Sequence, residues 1–132
     1  MGDPETEVVM PRLKSDLVQH LHALGTGTLA DEQIEIDSRT ATTVVVASGG
    51  YPNDYEKNKV IKNIPEFNDA TLVFQSGTKQ IGNEILTNGG RVLAVTSYGK
   101  DIADSVTKSN AIAAQIQFDK KYYRQDIGWE FK

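Results

Sequence analysis

Thr40-Ala41-Thr42-Thr43-Val44-Val45-Val46-Ala47 runs straight into Ser48-Gly49-Gly50-Tyr51-Pro52, and this stretch decides the architecture. An uncharged run rich in threonine and valine reads as a buried strand, because β-branched side chains fit a pleated surface. Two adjacent glycines then leave backbone amides unshielded and permit positive φ, as a tightly packed or ligand-facing loop requires. The arrangement recurs downstream, where Thr87-Asn88-Gly89-Gly90 leads into a second clear strand from Arg91 to Ser97. One turn follows a strand and the other precedes one, so both fall at the same end of a plausible sheet.

Working outward, Val9, Leu13, Leu17, Leu21 and Leu24 recur at helical steps between Glu7 and Leu24. Pro4 suits a first helical turn, and Asp3 or Thr6 could cap it. Pro11 interrupts the stripe, predicting a short helix, a kink and a longer helix from about Lys14, ended by Gly25 and Gly27. Ile34 and Ile36 alternate with charged neighbours and predict a half-exposed strand. Residues 53–69 read as polar and irregular, with Val60, Ile61 and Ile64 as packing points. Thr71 to Gln75 predicts a strand, and Thr78 to Asn88 a hairpin turning at Gly82-Asn83. Asp101 to Phe118 carries Ile102, Val106, Ile112 and Ile116 as a helical stripe, with Asp101 or Asp104 at its positive end. Tyr122 to Ile127 closes the chain as an edge strand or extended tail. The sum is an α+β fold: an antiparallel sheet forming a small sandwich or barrel, with helices flanking it.

Composition bounds the function. A hydrophobic share of 39% and a charged share of 24% are ordinary for a globular domain. No apolar run approaches the ~20 residues that span a bilayer. The absence of cysteine excludes disulfides and thiolate metal sites and fits a cytoplasmic setting. A formal net charge of −4 argues against nucleic acid as a partner, since such binders carry a basic face.

No catalytic residue and no metal ligand is assigned. His20 and His22 lie two apart on a helix and face different ways, whereas a zinc pair would sit four apart. Gly25-Thr26-Gly27-Thr28-Leu29-Ala30 matches the dinucleotide fingerprint letter for letter, but it follows a helix instead of a strand and reads as a helix stop. Lys120, Lys121 and Arg124 form the densest cationic patch, expected to be a solvated face. The candidate binding residues are Gly49, Gly50, Tyr51, Pro52, Lys57, Asn88, Gly89, Gly90 and Arg91. Their glycines would present backbone amides to an anionic group, with Arg91 and Lys57 as nearby cations. The bland alternative is a pair of tight turns at sheet corners.

The motifs Gly2-Asp3-Pro4-Glu5-Thr6-Glu7, Ser48-Gly49-Gly50-Tyr51-Pro52, Asp54-Tyr55-Glu56-Lys57, Thr87-Asn88-Gly89-Gly90-Arg91 and Tyr123-Arg124-Gln125-Asp126-Ile127-Gly128 follow one another in order. This succession resembles the carboxy-terminal part of the phosphoribosylamine–glycine ligase family, ATP-grasp enzymes of purine biosynthesis. The resemblance implies an enzyme that activates glycine with ATP and magnesium and joins it to 5-phosphoribosylamine. It implies a division into residues 1–28, the helical end of the ATP-grasp portion, and residues 29–132, the carboxy-terminal ligase domain. The magnesium ligands of the family would lie before Met1, with Asp3 and Glu5 bracing the strand that bears them. ATP and magnesium are expected to need the whole enzyme, and this segment alone is expected to be inactive and to bind neither tightly. Its expected partners are the amino-terminal and ATP-grasp domains of the same enzyme, with glycine and 5-phosphoribosylamine as substrates. Apolar surface on helix 7–24 would be covered by those domains. Two departures stand out: Asn58 where relatives usually have glycine, and Gln75 where histidine is frequent. A competing reading is a stand-alone barrel-sandwich binding or interaction module. A carrier of that kind needs a lysine at a hairpin tip flanked by methionine, and Lys79 lies between Thr78 and Gln80.

Overall fold

The computed structural model describes residues 2–66 and 68–131; Met1, Phe67 and Lys132 fall outside it. The chain runs α1 (Thr6–Arg12), α2 (Leu17–Thr26), a short 3-10 turn (Leu29–Asp31), β1 (Thr40–Ser48), β2 (Thr71–Gln75), β3 (Thr78–Ile81), β4 (Glu84–Thr87), β5 (Arg91–Gly99), α3 (Ile102–Gln115), β6 (Lys121–Tyr123) and a second 3-10 turn (Trp129–Phe131).

The two valine-rich runs pair with each other. β1 and β5 lie antiparallel at the centre of a four-stranded sheet ordered β2-β5-β1-β6. Register puts Val44 opposite Val95 and Val46 opposite Leu93. These side chains face α3 and, with Ile61, Val92, Ala113 and Ile116, make the buried core. α3 is seated on that face by small hydroxyls: Ser109 Oγ donates to the Thr42 carbonyl at 2.8 Å, and Ser105 and Thr42 hydroxyls meet at 2.6 Å. The opposite face, bearing Thr43, Val45, Ala94 and Thr96, receives α1. There the Glu7 carbonyl accepts from Thr96 Oγ1 at 2.8 Å, and the Pro11 carbonyl from Tyr98 Oη at 2.5 Å.

The fold is α+β with antiparallel sheets, as the sequence implies, but the main sheet does not close into a barrel. Its outer strands, β2 and the three-residue β6, are too short and too far apart in the order to meet. β3 and β4 form a separate hairpin that turns at Gly82-Asn83. Lys79 therefore sits inside a strand rather than at a tip, which removes the carrier reading. Part of the irregular 53–69 segment runs beside β4, with Asn58 N–H on the Thr87 carbonyl at 2.7 Å and Ile61 N–H on the Ile85 carbonyl at 2.8 Å. Ile61 and Ile85 thereby carry this second layer onto the core.

Three local expectations change. The helix after the Pro11 region begins at Leu17, because the Asp16 carboxylate caps it by accepting from the Val18 and Gln19 amides. Gly27 ends that helix in a left-handed conformation, while Gly25 lies within its last turn. The Ile34/Ile36 strand does not form: Ile36 makes a single bridge to Leu13, and both isoleucines are exposed. The cationic patch is a solvated face only in part, for Lys120 and Arg124 are exposed but Lys121 is half-buried. Lys121 Nζ donates to the carbonyls of Ala113, Ala114 and Ile116 at 2.8, 3.1 and 2.5 Å, satisfying the end of α3 where positive charge is favoured.

Lys120 pairs with Glu56, which also holds Lys59 at 2.6 Å. These cations, Lys120 first, hold the Glu56 carboxyl down to about 2 from an ordinary 4.5. A carboxyl depressed on folding contributes stability above its unfolded value and loses it as pH falls through the folded one. The melting-temperature difference between the native protein and Glu56→Gln should therefore be constant above 4.5 and vanish as pH falls towards about 2. Thermal melts of both proteins across that range check this.

Candidate functional site

The two glycine turns come together. Ser48 N–H donates to the Gly90 carbonyl at 2.8 Å, and Ser48 Oγ to the Gly89 carbonyl at 3.0 Å. Pairing shifts between Val46 and Ala47, so that Ala47 faces Arg91 and Val92 is the extra residue of a bulge. Such bulges bend a strand and redirect its side chains. Here the bend lies at the start of β5, where Arg91 reaches the amino-terminal segment. Its guanidinium grips Asp3 in a two-pronged pair, Nη1 to Oδ1 at 2.7 Å and Nη2 to Oδ2 at 2.6 Å. Planar forks of this kind are among the strongest side-chain hydrogen bonds. Asp3 raises the Arg91 pKa above its ordinary value.

Between α1 and the sheet lies a cavity of about 370 Å³, lined by Asp3, Pro4, Glu7, Val45, Tyr51, Ser76, Gly77, Gly90, Arg91 and Ala94. That volume suits a small ligand. Tyr51 folds its ring directly over Gly90, a position where a side chain would collide with the ring. The Gly77 backbone packs against that of Gly89, and Asn88 N–H donates to the Gly77 carbonyl at 2.8 Å.

Of the residues proposed from sequence, Tyr51, Gly90 and Arg91 line the cavity, and Gly49, Gly50, Asn88 and Gly89 shape the turns behind it. Pro52 is exposed and off the lining. Lys57 is also off it, with Nζ 6.0 Å from the Tyr55 ring centroid. Several amides that an anion would need are engaged: Gly49 N–H by the Lys120 carbonyl at 2.7 Å, Gly77 N–H by Val92 at 3.1 Å. Glu5 Oε1 accepts from the Gly2 amide at 2.6 Å, bracing the entry segment from outside the cavity.

Sequence reading missed Pro4, Glu7, Val45, Ser76, Gly77 and Ala94 as lining. Gly77 and the Pro4–Glu7 segment were visible as motif members, but nothing in their spacing says that α1 lies across β1 and β5. The lining holds two carboxylates against one guanidinium, an excess of negative charge. Among the described residues no group of three or more His, Asp or Glu side chains is placed to hold a metal. Nor is any described helix long and apolar enough to cross a membrane.

Fold and site together define an α+β domain whose antiparallel sheet ends in a polar, glycine-walled cavity. Residues 41–130 match the family described as the phosphoribosylglycinamide synthetase C domain. The chain is 43% identical over 129 residues to the phosphoribosylamine–glycine ligase of Agrobacterium fabrum, covering 98% of this chain and 30% of that protein. It is likewise 43% identical over 131 residues to the Escherichia coli O157:H7 ligase, covering 97% of this chain and 30% of that one. A crystal structure of phosphoribosylamine–glycine ligase from Thermotoga maritima superposes with a TM-score of 0.69 at 29% identity, over 96% of this chain and 31% of that one. The chain belongs to the phosphoribosylglycinamide synthetase C-domain family. It spans about 30% of the length of these curated relatives.

Proposed function

We propose that this chain serves as the carboxy-terminal portion of an ATP-dependent ligase that joins glycine to 5-phosphoribosylamine, yielding glycinamide ribonucleotide for purine biosynthesis in the cytoplasm. The observation that carries this reading is the family match over residues 41–130, together with ligase relatives aligned over nearly the whole chain. Residues 1–28 then form the helical end of the ATP-grasp portion and residues 29–132 the ligase domain proper.

On this reading the cavity is part of the wall around the reacting amine or the glycine. The Asp3–Arg91 fork fastens the entry segment to the start of β5, and Glu5 braces the same segment from outside. Tyr51 and the glycine turns close the wall so that water is kept from a reactive acyl group. When bound, ATP supplies the phosphoryl group that activates the glycine carboxylate. Asp3 is committed to Arg91, and among the described residues no group of three or more His, Asp or Glu side chains is placed to hold a metal, so we assign no magnesium ligand to this chain. ATP and magnesium belong to the remaining portion of the enzyme. That portion would also cover the exposed apolar face of Val18, Leu21 and Leu24 on α2.

The test is product formation from ATP, glycine and phosphoribosylamine. This chain alone is expected to make no glycinamide ribonucleotide. A hybrid in which it replaces the matching segment of the Agrobacterium fabrum ligase is expected to make it. Turnover by the isolated chain would overturn its standing as an inactive portion, and a folded hybrid without activity would remove the ligase reading.

A further inference from the structure

The cavity beneath α1 contains an acceptor with nothing to accept. Glu7 lines it, and its Oε2 is buried with no hydrogen-bond partner among the described residues. Buried polar atoms are almost always paired, so one left over on a cavity wall points to a missing donor. The Arg91 guanidinium and the Thr43 and Thr96 hydroxyls are otherwise employed, and the Tyr51 and Ser76 hydroxyls of the lining make no hydrogen bond to Glu7. Arg91 spends both terminal nitrogens on Asp3, and the hydroxyls of Thr43 and Thr96 point to the Glu7 main-chain carbonyl at 3.3 and 2.8 Å. Pro4, Val45 and Ala94 add apolar wall. The charge balance of the lining is negative, and Lys57, the other cation expected here, points elsewhere.

We infer that Glu7 is a substrate-binding residue whose Oε2 accepts an N–H from the amino group of a bound substrate. The cavity thus takes the amine-bearing end of a small ligand and turns away its phosphate. This rests on the ligase reading above, under which two substrates carry an amino group, glycine and 5-phosphoribosylamine. A phosphate here would meet two carboxylates and a guanidinium already neutralised by Asp3. An amino group finds an unfilled acceptor and a negative wall.

The experiment is steady-state kinetics of the hybrid ligase carrying Glu7→Gln or Glu7→Ala, with KM measured separately for glycine, phosphoribosylamine and ATP. Glu7→Gln preserves shape and folding but loses the charge and one acceptor oxygen, so KM for one amino substrate should rise about threefold. Glu7→Ala should raise the same KM by about tenfold, equivalent to ~1.4 kcal/mol, with kcat changed by less than about threefold and KM for ATP unmoved. The substrate whose KM moves is the one seated against Glu7. Unchanged KM for both amino substrates in the folded Glu7→Gln hybrid would overturn the assignment, as would a fall in kcat alone. An inactive unsubstituted hybrid would instead sink the ligase reading, and this inference with it.

Discussion

Gly50→Ala is expected to lower the melting temperature by about 10 °C or more, the largest effect of any single methyl group added to this chain. Gly50 has φ +100, a conformation that residues with a Cβ rarely adopt, and its Cβ would drive into the Asp54 carbonyl oxygen. Both obstacles are main chain, so neither can swing aside as a side-chain end would. Overpacking of this kind costs ~1–3 kcal/mol or more, and the backbone conformation adds about 1–2 kcal/mol. At roughly 3–5 °C per kcal/mol for a domain of this size, the sum of about 2–5 kcal/mol corresponds to roughly 6–25 °C, with its middle above 10 °C. Gly77→Ala belongs to the same class without the φ penalty, since its Cβ would meet the Arg91 carbonyl and lie 2.8 Å from Gly89 Cα. Gly25→Ala is the control. It lies in α2 with no atom within 4 Å of an added Cβ, and it should raise stability by about 0.5–1 kcal/mol through helix propensity. Thermal melts of the three variants decide the matter. A Gly50→Ala protein melting within about 2 °C of the parent would show that the turn is not held as described.

What could be read from the sequence follows the range of the interactions involved. β1 and β5 were legible because threonine and valine in unbroken runs leave little choice of conformation, and the Gly82-Asn83 turn because its two flanking runs are adjacent. Asp16 was not foreseen as the cap of α2, although its carboxylate meets an amide only two residues on. Asn58 was legible as an oddity. The resemblance leads one to expect glycine there, and the structure gives it φ 63, a left-handed conformation that asparagine tolerates better than most residues. Ile34 and Ile36 misled because alternation describes a strand only when another strand lies alongside, and among the described residues Ile36 has only the bridge to Leu13. Lys121 misled for the opposite reason. It stands beside Lys120 and three residues from Arg124, as a solvated cation would, but its ammonium is spent on the carbonyl end of α3.

The site divides in the same way. That both glycine turns share one end of the sheet followed from the order of strands and turns. That Arg91 would find Asp3, 88 residues away, did not. Nor did the burial of the Oε2 atom of Glu7, which on a helical wheel is one more charged residue in a first turn. Its environment arises only when α1 settles across Val45 and Ala94.

The second large effect follows from that long-range pair. Arg91→Ala removes two charge-assisted hydrogen bonds, leaves the Asp3 carboxylate without its partner, and frees the segment Gly2–Glu5 from the start of β5. Arg91 acts here as a positioning residue, holding the wall of the cavity in place through Asp3. In the hybrid ligase, kcat/KM for the amino substrates should fall about tenfold, ~1.4 kcal/mol, chiefly through KM, the upper end for a two-pronged pair whose side chains are 42% and 60% exposed. Arg91→Lys should recover little, since an ammonium cannot span both carboxylate oxygens. A variant that merely destabilised the fold would change melting temperature and the fraction of active enzyme, leaving each KM as it was.

Steady-state kinetics of the Arg91→Ala hybrid therefore bear most directly on whether the paired glycine turns border the reaction site. A rise of about tenfold in KM for phosphoribosylamine or glycine, with KM for ATP within about twofold of the parent, is the expected result. Parental KM values for all three substrates in a folded, active Arg91→Ala enzyme would place this cavity outside the site of reaction.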